Sequence, residues 1–484
     1  MNLSSMNRRR FLQTTAATAS TATLGGMLAA CGSSSSSSSA KVTLAYWDWW
    51  VTQAPWVDGE IALFQKAHPN ITIKKTTQGN STYDTLLPLS FKSKRSPDVF
   101  MIPAHPAIGD QITQGWLRPV DDNQWKQQFP KGSFLEGSNM LNGKTFSAPL
   151  TGSAPWVQLY INNEVFRQAG LKNADGSIKV PRTWDDVTNA ADAITKKSNG
   201  SVYGLGFGAG GWNLLPLWVE VFVRGAGSPG GGYDKDLRVG KYTYGSDRNY
   251  ADFVALLLEW KKRGYFYPDS VSISDETARA FFERGKFGMT VGGVWNQAEW
   301  TAHQFTDYTL TTLVGPEAKP KGYFYNSGGG VFAGISKQTK YPDEALAWFK
   351  WLYSPEAGRR YVEKGIDVSV YPQNNNAKNV KFPPFAQYVA TSTLSIAGPN
   401  PKARNPQVAQ ADAFVKAVKP DLGDTLTGAY TGQVTNVPQA LASLEARSQA
   451  ALEDAVKQAQ QKGAKVSLQD YIFSDWDLTR PYTV

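Results

Sequence analysis

Three of the chain's 16 tryptophans, Trp47, Trp49 and Trp50, fall within four positions, directly after the apolar run Val42-Thr43-Leu44-Ala45-Tyr46. Outside a core, an indole offers a flat, electron-rich face on which another flat or C–H-bearing surface can lie. The run 42–46 is short, apolar and β-branched, the pattern of a buried strand, and strands end in loops that are ordinarily polar. With 21 Tyr and 23 Phe beside them, 16 Trp exceed what two cores need. Part of this aromatic content therefore serves a surface that binds something flat and apolar on one face.

Other residue sets offer less. His68, His105 and His303 are widely separated and have no metal-ligand spacing. Asp121-Asp122 and Asp185-Asp186 read as turn and helix-start carboxylates, not an acid/base pair. Gly206 to Gly211 fits G-x-G-x-x-G, but Pro216 interrupts any following helix and the first strand–helix turn is far away. With Cys31 as the one cysteine, neither an intramolecular disulfide nor a cysteine-based metal site can form. The reading expects no catalytic residues, no metal and no cofactor.

At 484 residues the chain exceeds one ordinary core, and two domains are expected. Its N-terminus reads as an export signal: Asn7-Arg8-Arg9-Arg10-Phe11-Leu12 is a twin-arginine pattern, and a weakly apolar Thr/Ala stretch follows. Leu28-Ala29-Ala30-Cys31 resembles a bacterial lipobox, which makes Cys31 the lipidated first residue of the mature chain. The stretch is too short and too rich in Thr and Gly to span a bilayer stably. Gly32 and the serines at 33–39 then form a flexible tether. Without Arg8, Arg9 and Arg10 the balance is 47 basic to 41 acidic residues, a mild excess with no basic stripe, which argues against nucleic acid.

The elements that must position the tryptophans alternate. After 42–46 comes a helical face at Val57, Ile61 and Phe64, a strand at 71–75, a helix at about 82–92 and a strand at 97–102. Strands and helices alternating in this way indicate parallel βαβ units. Thr183-Trp184-Asp185-Asp186 is a capping box opening a helix. A helix at 342–352 carries Leu346, Phe349 and Leu352 on its core face, Ser354-Pro355 starts another, and 438–462 is a long terminal helix.

Several stretches then stand in a telling order: LFQKAHPNITIKK (63–75), Tyr83-Asp84, SPDVFMIP (96–103), GWLRPVDD (115–122), LNGKTFSAPL (141–150), LYINNEVFRQAGL (159–171), VPRTWDDV (180–187), FFERGKFGMTVGGVW (281–295) and SGGGVFAGISKQTKYPDEALAWFKWL (327–352). In this order and spacing they resemble the extracellular solute-binding proteins of ABC sugar importers, the relatives of maltose-binding protein, over essentially all of 41–480. Met289 and Ile161 depart from the family's usual residues at positions not expected to touch ligand.

The resemblance implies an α/β fold of two lobes, periplasmic-binding-protein-like, with a hinge and an interlobe ligand cleft. Signal peptide 1–30 and tether 31–40 would precede lobe 1, formed by 41–152 plus 322–355, and lobe 2, formed by 153–321 plus 356–484. Chain crossings are expected near 150–155, 318–325 and 354–360. The implied function is non-enzymatic: a lipid-tethered monomer on the outer face of the cytoplasmic membrane captures a mono- or oligosaccharide between closing lobes and delivers it to ABC permease subunits. A secreted, lipid-anchored glycan-degrading enzyme is the alternative, and would need a carboxylate pair at a cleft.

A sugar presents hydroxyls in its plane and C–H patches on its faces, so a site needs aromatic plates and planar polar groups. The expected contacts are Trp47 and Trp49 at the carboxyl end of the first strand, where open α/β sheets bind ligands, with one of Trp49 and Trp50 packed inward. Trp295 is expected to stack on the sugar, Trp156 to lie at the first crossing and Trp212 to line the second lobe. Tyr83, Asp98 and His105 match first-lobe loop positions, and Gly329 and Gly330 let backbone N–H groups approach the ligand.

Overall fold

Along Val42–Asp48 side chains alternate between a fully buried face (Val42, Leu44, Tyr46, Asp48) and a more open one. This is the period-two signature of a strand with one face on a core. The computed structural model describes residues 41–103 and 106–482. The expected signal, lipobox and tether, with Cys31, and the expected contact His105 lie outside the described residues. Described strands of three or more residues are, in chain order, β1 (Val42–Asp48), β2 (Ile71–Thr77), β3 (Val99–Met101), β4 (Val157–Asn162), β5 (Tyr203–Leu205), β6 (Phe287–Gly293), β7 (Tyr308–Thr311), β8 (Phe324–Asn326), β9 (Ala333–Ile335) and β10 (Ser395–Ala397).

Two four-stranded sheets organise residues 41–482. The first has the order β9-β3-β1-β2, with β1 parallel to both β2 and β3 and with β9 antiparallel to β3. The second has the order β5-β6-β4-β7, with β4 antiparallel to both neighbours and only β5 and β6 parallel. The expectation of parallel βαβ units for residues 42–102 therefore holds, whereas the second sheet, for which no direction was expected, is largely antiparallel. Strand direction depends on where a chain re-enters a sheet, which local periodicity does not encode.

Each sheet supports its own core. One joins Leu44, Tyr46, Trp56, Phe64, Trp348 and Tyr361, the other Leu159, Ile194, Trp218, Phe222, Trp260 and Met289. The helices form where capping and spacing direct. Thr183 caps Trp184–Lys197 in the expected capping box, and Val437–Gln461 buries Leu441, Leu444, Leu452 and Val456 on one face. In Pro342–Leu352 the buried face is Ala345, Trp348, Phe349 and Leu352, with Leu346 only partly covered.

Leu150 belongs to the first core and Val157 to the second; Phe324 belongs to the second and Phe332 to the first. The second passage therefore lies between 324 and 332, later than the expected 318–325, and the third also differs from the expected 354–360. The helix Pro355–Glu363 stays with the first lobe, because Tyr361 packs edge-on against Trp56 at 4.9 Å and Arg360 makes two 2.6 Å bonds to the buried Glu60. Ile366, Val370 and Tyr371 also pack in the first core, while Val362 and Val368, and then Phe385, belong to the cluster around Tyr160, so this passage alternates between the two sides from 362 onward. Two passing segments run side by side: the Gly152 N–H donates to the Val368 carbonyl at 3.0 Å and the Val370 N–H to the Leu150 carbonyl at 2.9 Å. Thr151 and Ser369 face each other in this short antiparallel ribbon.

Candidate ligand-binding site

In the second lobe, β4 and β6 are antiparallel and Val157 pairs with Gly293, so the start of β4 and the end of β6 lie together. Trp156, just before β4, and Trp295, just after β6, leave the sheet at this shared end; the Val294 N–H donates to the Trp156 carbonyl at 3.0 Å. Their rings are 6.1 Å apart and inclined by 33°. Glycine at 293 leaves the Trp295 ring in place, since a Cβ there would sit 2.0 Å from it and displace the indole.

Two further rings extend the row. Trp212 lies 5.5 Å from Trp295, and Tyr233 lies 6.1 Å from Trp156, each pair inclined by about 40°. The sequence Tyr233–Trp156–Trp295–Trp212 is thus continuous. Its outer members are exposed, Trp212 by 51% and Tyr233 by 45%. Large aromatics left half in water at one edge of a fold mark a binding surface rather than a core.

Buried charge holds this row from beneath. The Trp295 indole N–H donates to Asp275 Oδ2 at 3.3 Å, the same oxygen bonds Arg279 Nη1, and Arg279 Nε reaches Glu299 at 2.8 Å. Burial pushes the Asp275 carboxyl up, with the Arg279 guanidinium pulling the other way. Tyr233 sits on the glycine-rich loop 227–236, fastened from the otherwise apolar helix Leu215–Gly225. Arg224 bonds Glu220 at 2.8 Å and the Pro229 carbonyl at 2.7 Å, while the Gly232 N–H donates to Glu220 at 2.7 Å. Burial raises the Glu220 carboxyl, opposed by Arg224. Neither Tyr233 nor Asp275 figured among the expected contacts. The charged pair Glu220/Arg224, four residues apart in an apolar helix, was the available sign that the next loop is deliberately held.

In the first lobe, Trp47, Trp49 and Trp50 are all half-buried against the core around β1. Trp50 is the inward one, stacked on Phe332 at 4.5 Å and 29°. Trp49 meets Tyr83 edge-on at 5.0 Å. Tyr83 itself is fully buried and its hydroxyl donates to the Met101 carbonyl at 2.6 Å, so it supports Trp49 and presents no group to a ligand. Asp98 is also occupied within the lobe: it accepts from the Ala45 N–H at 2.8 Å and from the Thr339 hydroxyl at 2.6 Å. These two expected contacts are corrected to structural positions.

The glycine turn likewise has a steric reason. Gly328 and Gly329 adopt φ of +72° and +66°, and a Cβ on Gly329 would meet Ser138 Oγ at 2.8 Å. Asn139 Nδ2 donates to the Gly330 carbonyl at 2.9 Å, tying the turn to the loop below it. Gly329 is buried and Gly330 exposed. The structure thus brings Trp156, Trp212 and Trp295 together, places Trp47 and Trp49 at the end of β1, and assigns Tyr83, Asp98 and Gly329 to internal packing.

Residues 49–359 match the family model of the bacterial extracellular solute-binding proteins. The chain belongs to that family. This solute-binding protein is also 24% identical, over 62% of its length and 67% of the relative's, to an uncharacterized ABC transporter extracellular-binding protein of Pyrococcus horikoshii. Its fold is shared with solved two-lobed binding proteins. A Thermotoga lettingae solute-binding protein bound with α-D-tagatose aligns with a TM-score of 0.64 at 19% identity, over 85% of this chain and 100% of that one. The GacH receptor of Streptomyces glaucescens, solved with acarbose, aligns at 0.61 and 16% identity, over 86% and 99%. RafE in complex with raffinose aligns at 0.60 and 18%, over 85% and 100%. No described helix of this solute-binding protein is long and apolar enough to cross a membrane. Among the described residues, no group of three or more His, Cys, Asp or Glu side chains is placed to hold a metal ion.

Proposed function

We propose that this protein is the carbohydrate receptor of an ABC importer, closing its two lobes on a sugar and delivering it to membrane permease subunits. The observation that carries the reading is the four-ring row Tyr233–Trp156–Trp295–Trp212 at one end of the second sheet. Such a row matches the C–H faces of pyranose rings, and the sugars held by the tagatose, acarbose and raffinose receptors of the same fold support the assignment. Trp47 and Trp49 would meet the ligand from the first lobe, with Gly330 and His105 as further first-lobe contacts. The ribbon 150–152/368–370 would bend as the lobes close. The receptor would act as a monomer, exported and anchored through a lipid on Cys31, so that Cys31→Ser releases it into the medium.

Calorimetry against mono- and oligosaccharides, polyols and glycerol phosphates tests the reading. A micromolar dissociation constant, about −8 kcal/mol, is expected for at least one carbohydrate. Silence across the whole panel, or conversion of the sugar into product, would overturn it.

A further inference from the structure

Trp212 and Tyr233 have a second role. Besides ending the ring row, both line a groove of about 660 Å³ that continues away from Trp156 and Trp295. That volume falls within the range of small-molecule sites, about 300–1,000 Å³. Tyr242 and Tyr244 line it beside them, and the segment 415–424 lines it with the helix Val437–Gln461, through Leu444, Ser448 and Ala451. This second wall lies wholly beyond the residues 49–359 that match the family model.

Both walls are fastened before any ligand arrives. Asn213, next to Trp212, donates to the Gly423 carbonyl at 3.0 Å and to the Thr427 hydroxyl at 2.7 Å. Arg447 holds the Pro420 carbonyl at 2.9 Å, and Lys419 pairs with Asp421 at 2.6 Å and Asp424 at 3.0 Å. On the other side, the Tyr250 hydroxyl donates to the Gly231 carbonyl at 2.7 Å, adding to the Glu220–Arg224 clamp on the Tyr233 loop. Preformed walls lower the ordering cost of binding.

The lining alternates aromatic faces with hydrogen-bonding groups, the pairing that carbohydrates require. Its charges cancel: Lys416 and Lys419 stand against Asp421 and Asp424. A set balanced in charge gives no net attraction to an anionic or cationic ligand.

We propose that this groove is a second sugar subsite continuous with the ring row, and that the cargo is a neutral oligosaccharide whose one end rests on Trp156 and Trp295 while the other passes Trp212 and Tyr233 into the groove. The inference rests on the carbohydrate reading above and adds length and charge to it.

The test is calorimetry with matched series: glucose, maltose and maltotetraose; xylose and xylotetraose; galactose, raffinose and stachyose; and oligogalacturonides as anionic controls. For the sugar series that binds, the tetrasaccharide should bind at least about tenfold more tightly than its monosaccharide, and the oligogalacturonides should not compete. Filling the groove from either wall, with Ala451→Leu or Ala417→Glu, should remove most of that advantage and leave the shortest binding sugar of the series unaffected. Unchanged melting temperature without ligand verifies that both variants fold. A monosaccharide that binds as tightly as its oligomers, groove variants that leave tetrasaccharide affinity intact, or uronides that bind equally well would overturn the inference and leave the receptor reading standing. Absence of any carbohydrate binding would remove both.

Discussion

Trp156 and Trp295 are 139 residues apart in the chain, yet their rings lie 6.1 Å from each other because Val157 and Gly293 are paired across antiparallel strands. Sheet register, not loop flexibility, sets their spacing. A rigid mount of this kind fixes both rings before a ligand arrives, which limits the ordering cost of binding.

It follows that Trp295→Ala should weaken sugar binding by about 2 kcal/mol, roughly thirtyfold in Kd, with little change in melting temperature, since the ring is only half-buried. Gly293→Ala should weaken binding through the same ring, because its Cβ would sit 2.0 Å from the indole, while removing no contact of its own. Calorimetry on the two variants checks this. Wild-type affinity in Trp295→Ala would show that the ring is packing alone.

The loop that carries Tyr233 gives a stability prediction. Glu220 and Arg224 are each 2% exposed and bonded at 2.8 Å. Removing one partner leaves a buried charge uncompensated, at a cost of about 3–5 kcal/mol. Arg224→Ala should therefore lower denaturant stability by that amount and free loop 227–236. The double change Glu220→Leu/Arg224→Met should recover much of the loss, yet still bind sugar weakly, because the Gly232 and Pro229 anchors are gone. Urea denaturation followed by ligand titration separates the two effects.

Much of this architecture is written locally and was legible. Strand β1 alternates residue by residue, the Thr183 capping box satisfies its own helix start, and the terminal helix keeps its apolar stripe for 25 residues. Trp295 was singled out from its place in the family motif, and the structure adds that the absence of a Cβ at Gly293 leaves room for its ring. What was not legible depends on contacts distant in sequence. Tyr233 gains its place from a helix whose buried charges act on the following loop. Tyr83 and Asp98 were expected at the ligand from their motif positions, but their polar atoms are taken by Met101, Ala45 and Thr339. The third passage between lobes moved past 360 because Tyr361 and Arg360 find partners on the helix Ala54–Ala67, some 300 residues earlier.

Asp48 ends β1 directly beside the tryptophans and is fully buried. Burial pushes its carboxyl from 3.8 up to about 6, with the Thr77 hydroxyl and Lys75 pulling the other way. Between these two values the folded chain holds a proton that the unfolded chain has released. The group's stabilisation is therefore complete below about pH 4 and lost as pH rises through 6. Stability should fall with rising pH across that window by up to about 3 kcal/mol from this residue. Asp48→Asn should flatten that part of the curve, as read by urea denaturation at half-unit steps from pH 4 to 7. An unchanged slope in the variant would place the titration elsewhere.

The proposed bending segment has a weak point of its own. Gly152 lies in the ribbon where 150–152 runs beside 368–370, and a Cβ there would come 2.4 Å from the Ser369 carbonyl oxygen. Gly152→Ala must push the two passing segments apart without altering any ring of the row. If the ribbon is where the lobes bend and the added Cβ opposes closure, the variant should bind sugar more weakly, by about tenfold. The tryptophan fluorescence change at saturation should persist, since Trp295 and Trp156 are untouched. Small-angle scattering supplies the independent readout: saturating sugar should reduce the radius of gyration of the wild type and reduce it less in the variant. A variant that binds and contracts like the wild type would show that the bending occurs at another passage, the one between Phe324 and Phe332 being the next to test.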